Sequence, residues 1–202
     1  MLSKQAADPW PEAGPATLVL DAGGAAGLPA TVEFCRRNGA GLVYAVSGVT
    51  AAARASLEQL ADIVPVVLAT NLSMGHWLHL RITRWLAYTA RQLDTTFDAS
   101  VWERHPRTKQ HRPSASATEL AEEWAAHSGA ATSEIVSLRS GHAVSEHTLR
   151  LDWANESLSV HHDVRDLRAA AAGAMLALGH AAAAAPGLVR FNTLLDQMLL
   201  EA

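Results

Sequence analysis

Lysine is almost absent from this chain of 202 residues, which contains only Lys4 and Lys109. Cysteine is represented by Cys35 alone, so no disulfide can form within the chain, which fits a reducing compartment. No segment carries a run of basic residues and the formal net charge is −4, so the composition argues against nucleic-acid binding. Because lysine is so rare, Lys109 is a candidate functional residue.

A secretory leader and a long hydrophobic run are also missing. A secretory signal would require an apolar segment after residues 1–4, and none is present there. The longest apolar stretch, 169–186, is mostly alanine and is interrupted by Gly173, Gly179 and His180, so it predicts a packed helix and not a membrane span. Apolar residues still make up 49% of the chain, enough for a core. We therefore expect a cytoplasmic protein without membrane association.

The first part of the chain alternates short apolar runs with helical patterns. Runs at 17–20, 41–46 and 63–69 predict buried strands, and 29–38 and 50–62 have helical spacing. Strands that alternate with helices predict a parallel sheet with crossover helices. Ligands bind such sheets at the carboxyl ends of the strands.

The pattern changes after a long predicted helix at 73–93. The later elements are a strand at 97–102, a polar loop at 104–116, a helix at 117–128, strand candidates at 136–138, 143–151 and 158–160, and helices at 164–184 and 191–200. The last three strand candidates have no helix between them and are predicted to pair antiparallel. The predicted fold class is therefore α/β plus α+β.

This pattern also predicts a domain organisation. A lead-in at 1–15, rich in proline and glycine, precedes a Rossmann-like part at 16–96. A substrate-binding and oligomerisation domain is predicted at 97–184. A C-terminal helix at 185–202 is expected to return to the first part.

The polar segment 103–117 carries the residues best suited to acid/base chemistry. His105 can donate a proton near neutral pH, and Lys109 supplies a fixed positive charge beside it. Ser114 or Ser116 can cap the helix that follows, and the exposed amides of that helix favour a carboxylate. The residues alone leave open the alternative of a solvated loop without function.

This segment resembles the motif E-x-H-H-x-x-K-x-D-x-P-S-G-T-A of the dihydrodipicolinate reductase family, which it matches without gaps. The resemblance implies that His105 is the proton donor and that Lys109 faces the substrate. It further implies a substrate-carboxylate site, and the residues that it assigns to that site are Ser114, Ala115 and Ser116.

Three of the departures from the family motif bear on the proposed site. Pro106 replaces the second histidine, and His111 replaces the aspartate. His111 is therefore a candidate substrate-binding residue at the position where the family has aspartate. Ala115 stands in place of glycine, which is expected to tighten the anion site.

Further segments resemble family motifs in the same order, and together they cover about residues 17–200. They are 21–23 (D-F-T), 45–48 (G-T-T-G, the loop that touches the nicotinamide), 71–75 (N-F-S-x-G) and 139–148 (R-x-G-x-x-x-G-E-H-T). The resemblance adds Asn71 and Arg139 as substrate-binding candidates. For a reductase, it adds Ser47 and Gly48 as cofactor-binding candidates.

The chain lacks the family's G-x-x-G-x-x-G turn, which holds the cofactor pyrophosphate. The glycine-containing segment 23–27 is too short to form that turn. It also follows a strand that matches a later strand of the family and not the first. The resemblance therefore implies a divergent, N-terminally truncated member that lacks about two βα units. Because charge-assisted phosphate bonds contribute about 1.5–3 kcal/mol each, we expect no bound cofactor.

The chain has ten histidines but no H-E-x-x-H pattern and no cysteine partner near them, so we expect no metal. His76 and His79, on the long helix, are predicted to be surface residues or hydrogen-bonded core residues.

We therefore expect a non-redox enzyme of specialised metabolism that isomerises, dehydrates or cyclises a small molecule bearing a carboxylate or carbonyl group. One alternative is an NAD(P)H-dependent reductase of a cyclic imine or enoyl acid, with NADPH or NADH weakly held. A second alternative is a non-catalytic scaffold subunit. In each case a homo-oligomer, dimer or tetramer, is expected, with the strands at 134–162 in the interface.

Overall fold

The computed structural model describes residues 14–93, 96–142 and 144–200, and the chain divides into two compact units. Unit 1 comprises Met1–Leu72 and Ala170–Ala202, and unit 2 comprises Ser73–Ala169. The boundaries thus fall near 72 and 169, where the sequence suggested 96 and 184. Most of the lead-in predicted at 1–15 lies outside the described residues.

Unit 1 is built on a four-stranded parallel sheet with the order β1-β2-β3-β8. Its strands are β1 (Leu18–Asp21), β2 (Gly41–Tyr44), β3 (Pro65–Leu68) and β8 (Gly187–Arg190). Its helices are α1 (Leu28–Asn38), α2 (Ala51–Ala61), α5 (Arg168–Ala183) and α6 (Phe191–Leu200). The first two residues of α5 belong to unit 2. The predicted parallel sheet is confirmed. The strand β8 was not predicted, because the sequence analysis assigned the whole of 185–202 to the C-terminal helix.

The core of unit 1 explains why its strands read as continuous apolar runs. All four residues of β2 are buried, and Leu42 and Val66 pack with Leu57 and Leu60 of α2. Strands covered on both faces have no polar side to show in the sequence. The side-chain oxygen of Thr50 accepts a hydrogen bond from the amide of Ala53 (3.1 Å) and so begins α2.

Cys35 belongs to this core and has no exposed surface. Burial, and then the negative charge of Asp21, raise the pKa of its thiol to about 12. The thiol is therefore a small apolar packing group at neutral pH.

Unit 2 contains a four-stranded mixed sheet with the order β5-β4-β6-β7 and two helices. The strands are β4 (Asp98–His105), β5 (Glu134–Arg139), β6 (Ser145–Trp153) and β7 (Glu156–Val164), and the helices are α3 (Met74–Gln92) and α4 (Ala115–Ser128). β6 pairs antiparallel with β4 and β7. β5 departs from the predicted antiparallel pairing: it runs parallel to β4, because α4 forms the crossover between these two strands.

The helices of unit 2 cover one face of its sheet. Val101 of β4 and Leu149 of β6 pack against Leu120 and Trp124 of α4 and Leu80 of α3. Among the described residues, no helix is both long enough and apolar enough to cross a membrane.

Gly173 of α5 allows a close approach to the backbone at Leu72. A Cβ at this position would lie 1.9 Å from the carbonyl oxygen of Leu72 and 3.1 Å from Cζ of Phe191. Gly173→Ala is therefore expected to lower the free energy of unfolding by about 1–3 kcal/mol, measured by urea denaturation.

Gly179 in the same helix provides the matched control, because a Cβ there meets no atom within 4 Å. Gly179→Ala is expected to raise the free energy of unfolding by roughly 0.5–1 kcal/mol, since alanine is the better helix former. Equal effects of the two substitutions on the free energy of unfolding would show that the close approach to Leu72 does not exclude a Cβ at position 173.

Candidate active site

The inner face of the unit 2 sheet changes from apolar to polar along β4. The inward-facing residues Ala99 and Val101 are followed on the same face by Glu103 and His105, and all four are buried. Sequence analysis ended this strand at 102 and placed His105 in a loop. Instead β4 continues to His105, which pairs with Arg139 of β5, so both polar side chains are directed by a strand.

The carboxylate of Glu103 is the centre of a buried hydrogen-bond network. Its Oε1 accepts hydrogen bonds from Nη2 of Arg139 (2.8 Å) and Oγ of Ser137 (2.6 Å). The amide of Ser114 donates to both carboxylate oxygens, at 3.2 and 3.1 Å. The Glu103 side chain has no exposed surface and that of Arg139 is 2% exposed, so this is a fully buried ion pair.

These contacts decide the charge of Glu103. Burial by itself would raise the pKa of the carboxyl group. The contacts with His105, Ser114, Ser137 and Arg139 outweigh burial and lower the pKa well below its usual range. Glu103 is therefore ionised at physiological pH.

Two imidazoles face the second oxygen of this carboxylate. Nε2 of His105 lies 3.3 Å from Oε2 of Glu103, and Nε2 of His147 lies 3.8 Å from the same atom. The two rings are nearly perpendicular, with centroids 5.2 Å apart. Burial, and then the neighbouring His76 and His105, lower the pKa of His147 to about 3, so His147 is neutral.

Ser114 connects this cluster to α4. Its Oγ accepts a hydrogen bond from the amide of Ala117 (3.3 Å), which confirms Ser114 as the helix cap, and lies 3.2 Å from Nε2 of His147. The described polar contacts of Ser114 are thus all within the chain. Ala115 is exposed at the start of α4 and Ser116 is half-buried. Carboxylate binding by these residues stays a prediction.

Arg139 holds the loop that contains Lys109. Its Nε donates to the carbonyl oxygen of Lys109 (3.1 Å), and its Nη2 donates to the carbonyl oxygen of His111. Arg139 was predicted to bind substrate, but here its donors are directed at the chain's own oxygens. Lys109 is half-buried and His111 is exposed, and the carbonyls of both are fixed by Arg139.

The structure thus brings His105, Ser114 and Arg139 together around Glu103, with Lys109 in the loop tied to Arg139. Three other predicted site residues belong to unit 1. They are Asn71, which follows β3, and Ser47 and Gly48, which follow β2.

Two buried histidines of α3 continue the polar region. His76 and His79 are 1% and 2% exposed, and Nε2 of His76 lies 3.0 Å from Oε2 of Glu119. Neither ring nitrogen of His79 has a partner at full hydrogen-bond geometry, but the backbone of Val160 lies close enough to favour its protonated form. His79 thus has the predicted core position, and its hydrogen bond stays a prediction. Burial, and then the neighbouring histidines, lower its pKa to about 3.

Sequence analysis did not assign a role to Glu103 or His147, although both carry a signal. Each continues a strand's inward-facing alternation, Glu103 after Val101 and His147 before Leu149. A charged or polar residue at a buried position needs a hydrogen-bond or charge partner. Clusters of such residues are common at functional sites. Together with His162, which pairs with His147 on β7, these side chains form what we call the inner-face polar row: Arg139, Glu103, His105, His147 and His162.

The polar row allows two kinds of chemistry. An imidazole beside a fixed carboxylate is suited to proton transfer. In the described part of the chain, Glu103, His105 and His147 also place one potential metal-ligand atom each within 4.8 Å of one another.

Comparison with known proteins identifies the family. Residues 81–195 match the family model described as dihydrodipicolinate reductase, C-terminus. The 4-hydroxy-tetrahydrodipicolinate reductase of Myxococcus xanthus is 32% identical in an alignment 195 positions long, which covers 88% of this chain and 71% of that protein. The chain belongs to the dihydrodipicolinate reductase family. The reductase of that name from Stenotrophomonas maltophilia is 31% identical over 170 residues, covering 84% of this chain and 69% of the relative.

A solved member of the dihydrodipicolinate reductase family has the same fold. It is described as dipicolinate-bound dihydrodipicolinate reductase from Paenisporosarcina sp. TG-14. The TM-score is 0.67 at 16% identity, and the match covers 86% of this chain and 71% of that one. The predicted family and its α/β fold are thereby confirmed.

The buried ion pair should dominate the stability of unit 2. Glu103→Gln keeps the side-chain shape but leaves Arg139 without its charge partner, so the free energy of unfolding should fall by about 3–5 kcal/mol. Glu146→Gln is the matched control, because Glu146 pairs with the half-exposed Arg104. That substitution should cost no more than about 1 kcal/mol in the same denaturant titration. Equal losses would show that burial of the Glu103 pair is unimportant.

The buried imidazole of His79 predicts acid sensitivity. Its folded-state pKa, about 3, lies below the ordinary histidine value of 6.5, so between these values the unfolded chain binds a proton that the folded chain does not. The free energy of unfolding should therefore fall as the pH is lowered from about 6.5 towards 3. His79→Leu removes the titrating group and should flatten this dependence, measured by urea denaturation at several pH values. A variant curve parallel to that of the wild type would contradict the interpretation.

Proposed function

We propose that this family member performs non-redox acid/base chemistry on a small molecule bearing a carboxylate or carbonyl group. Isomerisation, dehydration and cyclisation are the reaction types that this chemistry serves. His105 is the proposed proton donor, and Lys109 the proposed positive charge that faces the substrate. The observation that carries the proposal is the buried carboxylate of Glu103, 3.3 Å from Nε2 of His105 at the end of β4.

The fixed carboxylate is what makes His105 suitable. An ionised carboxylate orients a neighbouring imidazole for proton transfer. Ser137, Arg139 and the amide of Ser114 hold Glu103 in place, so the imidazole meets an oriented charge. The rare Lys109 follows His105 by four residues, in the loop that Arg139 fixes through backbone carbonyls. Ala115 and Ser116 begin α4 beside it and supply the proposed carboxylate site, with His111 from the same loop.

The first βα turn of unit 1 supports a reaction without a dinucleotide. Oδ1 of Asp21 accepts a hydrogen bond from the amide of Gly23 (2.9 Å), and Oδ2 accepts one from the hydroxyl of Thr31 (2.7 Å). The carboxylate therefore takes the amide of Gly23 in this turn and a hydroxyl of α1, and its charge would repel a pyrophosphate placed there. We accordingly propose that the reaction uses no NADPH or NADH.

The alternative function is that of an NAD(P)H-dependent reductase, and the names of the relatives favour it. Ser47 and Gly48, in the turn after β2, would then lie against the nicotinamide, and Asn71 after β3 would contact the substrate. A titration with NADPH separates the two functions. Saturable binding at low micromolar concentration would overturn the non-redox proposal.

We further propose that the chain forms a homo-oligomer through the outer face of the unit 2 sheet. Trp102 and Leu138, on neighbouring strands of this face, are each 53% exposed. Large apolar side chains at adjacent positions favour burial against another sheet.

Proton transfer by His105 can be tested without knowing the natural substrate. The full chain is incubated in D₂O with a panel of 2-oxo acids and unsaturated cyclic carboxylic acids, and exchange at carbon is followed by NMR. The wild type should catalyse exchange without added NADPH. His105→Gln should slow it by roughly 10²–10⁴-fold, the usual contribution of a general acid or base.

Two loop variants complete this test. Lys109→Met should weaken substrate binding by roughly 10- to 100-fold, because a charge-assisted hydrogen bond contributes about 1.5–3 kcal/mol. Arg107→Gln removes a charge from an exposed residue of the same loop and should change binding little. Exchange that is unaffected by His105→Gln, or no faster with the protein than in buffer alone, would overturn the proposed function and favour a scaffold subunit.

A further inference from the structure

We propose that His147, His76 and Glu119 form a proton route that connects the cluster around Glu103 with solvent. The route carries to the surface the proton that His105 exchanges with the substrate, and it returns a proton in the opposite direction. This inference rests on the proposed function, because it assigns three further residues to the proton transfer that begins at His105. None of the three touches the substrate, so they are relay residues.

The outer end of the route is a contact between helices α3 and α4. Nε2 of His76 lies 3.0 Å from Oε2 of Glu119. The side chain of His76 is 1% exposed and that of Glu119 is 31% exposed, so the contact joins a buried ring to water. An ionised carboxylate only accepts hydrogen bonds, so Nε2 of His76 carries the proton and Nδ1 carries the lone pair.

The inner end of the route is the imidazole of His147. Oγ of Ser114 accepts a hydrogen bond from the amide of Ala117 and lies 3.2 Å from Nε2 of His147, so the hydroxyl proton is available for that nitrogen. Nε2 of His147 then carries the lone pair. Because His147 is neutral, its single ring proton is on Nδ1.

The atoms that link the two rings are complementary. The ring centroids of His76 and His147 lie 6.2 Å apart. Nδ1 of each ring is buried and, among the described residues, has no hydrogen-bond partner. One of these nitrogens is a donor and the other an acceptor, so they can satisfy each other after a small ring rotation or through one water molecule. Buried polar atoms without a partner are rare, and this contact accounts for two of them.

The step from His105 to His147 passes the ionised carboxylate of Glu103. Nε2 of His105 and Nε2 of His147 lie 3.3 and 3.8 Å from Oε2 of Glu103, and the ring centroids are 5.2 Å apart. A negative charge near both nitrogens lowers the energy of a proton that moves from one to the other. The hydroxyl hydrogen of Ser114 rotates, which frees Nε2 of His147 as the proton arrives.

A proton crosses this route without leaving a charge on a buried ring. As a proton reaches Nε2 of His147, Nδ1 of this ring releases its own proton to His76, and Nε2 of His76 passes its proton to Glu119. Each imidazole gains one proton and loses one, and the reverse transfer restores the first tautomers. This neutrality matters because burial lowers the pKa of His147 to about 3, so a positive charge stored on this ring would be costly.

The test is hydrogen exchange at carbon by the full chain in D₂O at low buffer concentration, with 2-oxo acids and unsaturated cyclic carboxylic acids as probes. Glu119→Gln keeps an oxygen that accepts the bond from Nε2 of His76, but it cannot take up a proton. We expect this variant to keep the wild-type Tm. It should slow exchange by roughly 10- to 100-fold, less than the 10²–10⁴-fold contribution of a general acid or base.

Added buffer separates a proton route from a structural contact. A high concentration of imidazole, which delivers protons from solution, should restore the exchange rate of Glu119→Gln and leave that of the wild type unchanged. His76→Gln breaks the route one position further in and should show the same loss and the same restoration. A purely structural contact between α3 and α4 predicts neither effect for Glu119→Gln.

Glu122→Gln is the matched control. Glu122 is exposed on α4, three residues beyond Glu119, and lies outside the route. This variant should exchange at the wild-type rate. If Glu119→Gln also exchanges at the wild-type rate, or if imidazole does not restore its loss, the proton route is refuted.

A measurement without substrate tests the route independently. NMR of the full chain with ¹⁵N-labelled histidine reports which ring nitrogen carries the proton, and His76→Gln and His147→Gln identify the signals of the two rings. We expect the proton on Nε2 of His76 and on Nδ1 of His147. Any other pair of tautomers would overturn the route.

The route and the proposed function can fail separately. Exchange that depends on His105 but not on Glu119 would overturn the route and leave the proposed function standing. A wild type that exchanges none of the acids would overturn the proposed function, while the expected tautomers of His76 and His147 would still support the route.

Discussion

The buried carboxylate of Glu103 is the constraint on which unit 2 depends. An ionised group removed from water needs charged or hydrogen-bonding partners. Arg139 supplies them from β5 and Ser114 from the start of α4, so one side chain ties a strand pair and a helix terminus together. A shift of one residue in the pairing of β4 with β5 would turn the side chains of one strand to the opposite face and leave Arg139 unpaired. The ion pair therefore fixes the register as well as the site.

The buried histidines beside this pair lower the free energy of unfolding. His79 and His147 are held neutral by burial, and each has at least one ring nitrogen without a described hydrogen-bond partner. A buried polar group left in this way costs about 1–3 kcal/mol. Departures of this kind from a well-satisfied core are concentrated at functional sites. The inner-face polar row thus marks the functional side of unit 2 independently of any motif.

The sequence predicted the elements that depend on local patterns of residues, and it did not predict the pairings that depend on contacts between distant segments. Local apolar runs identified β1 to β3, because strands buried on both faces have no competing pattern. The parallel pairing of β5 with β4 and the addition of β8 to the first sheet depend on contacts between distant segments, which no local period encodes. The family motif located His105 and Lys109. The role of Glu103 required knowledge that β4 extends to His105 and that the face of the strand with Glu103 is covered.

The complete burial of Cys35 has a practical consequence for following motions of this protein. Maleimide dyes react with thiolates, and a thiol with a pKa of about 12 and no exposed surface offers almost none at neutral pH. A cysteine introduced at the surface of either unit would therefore be labelled selectively, without removal of the native one. Fluorophore pairs attached in this way would report the distance between the two units in solution as ligand is added.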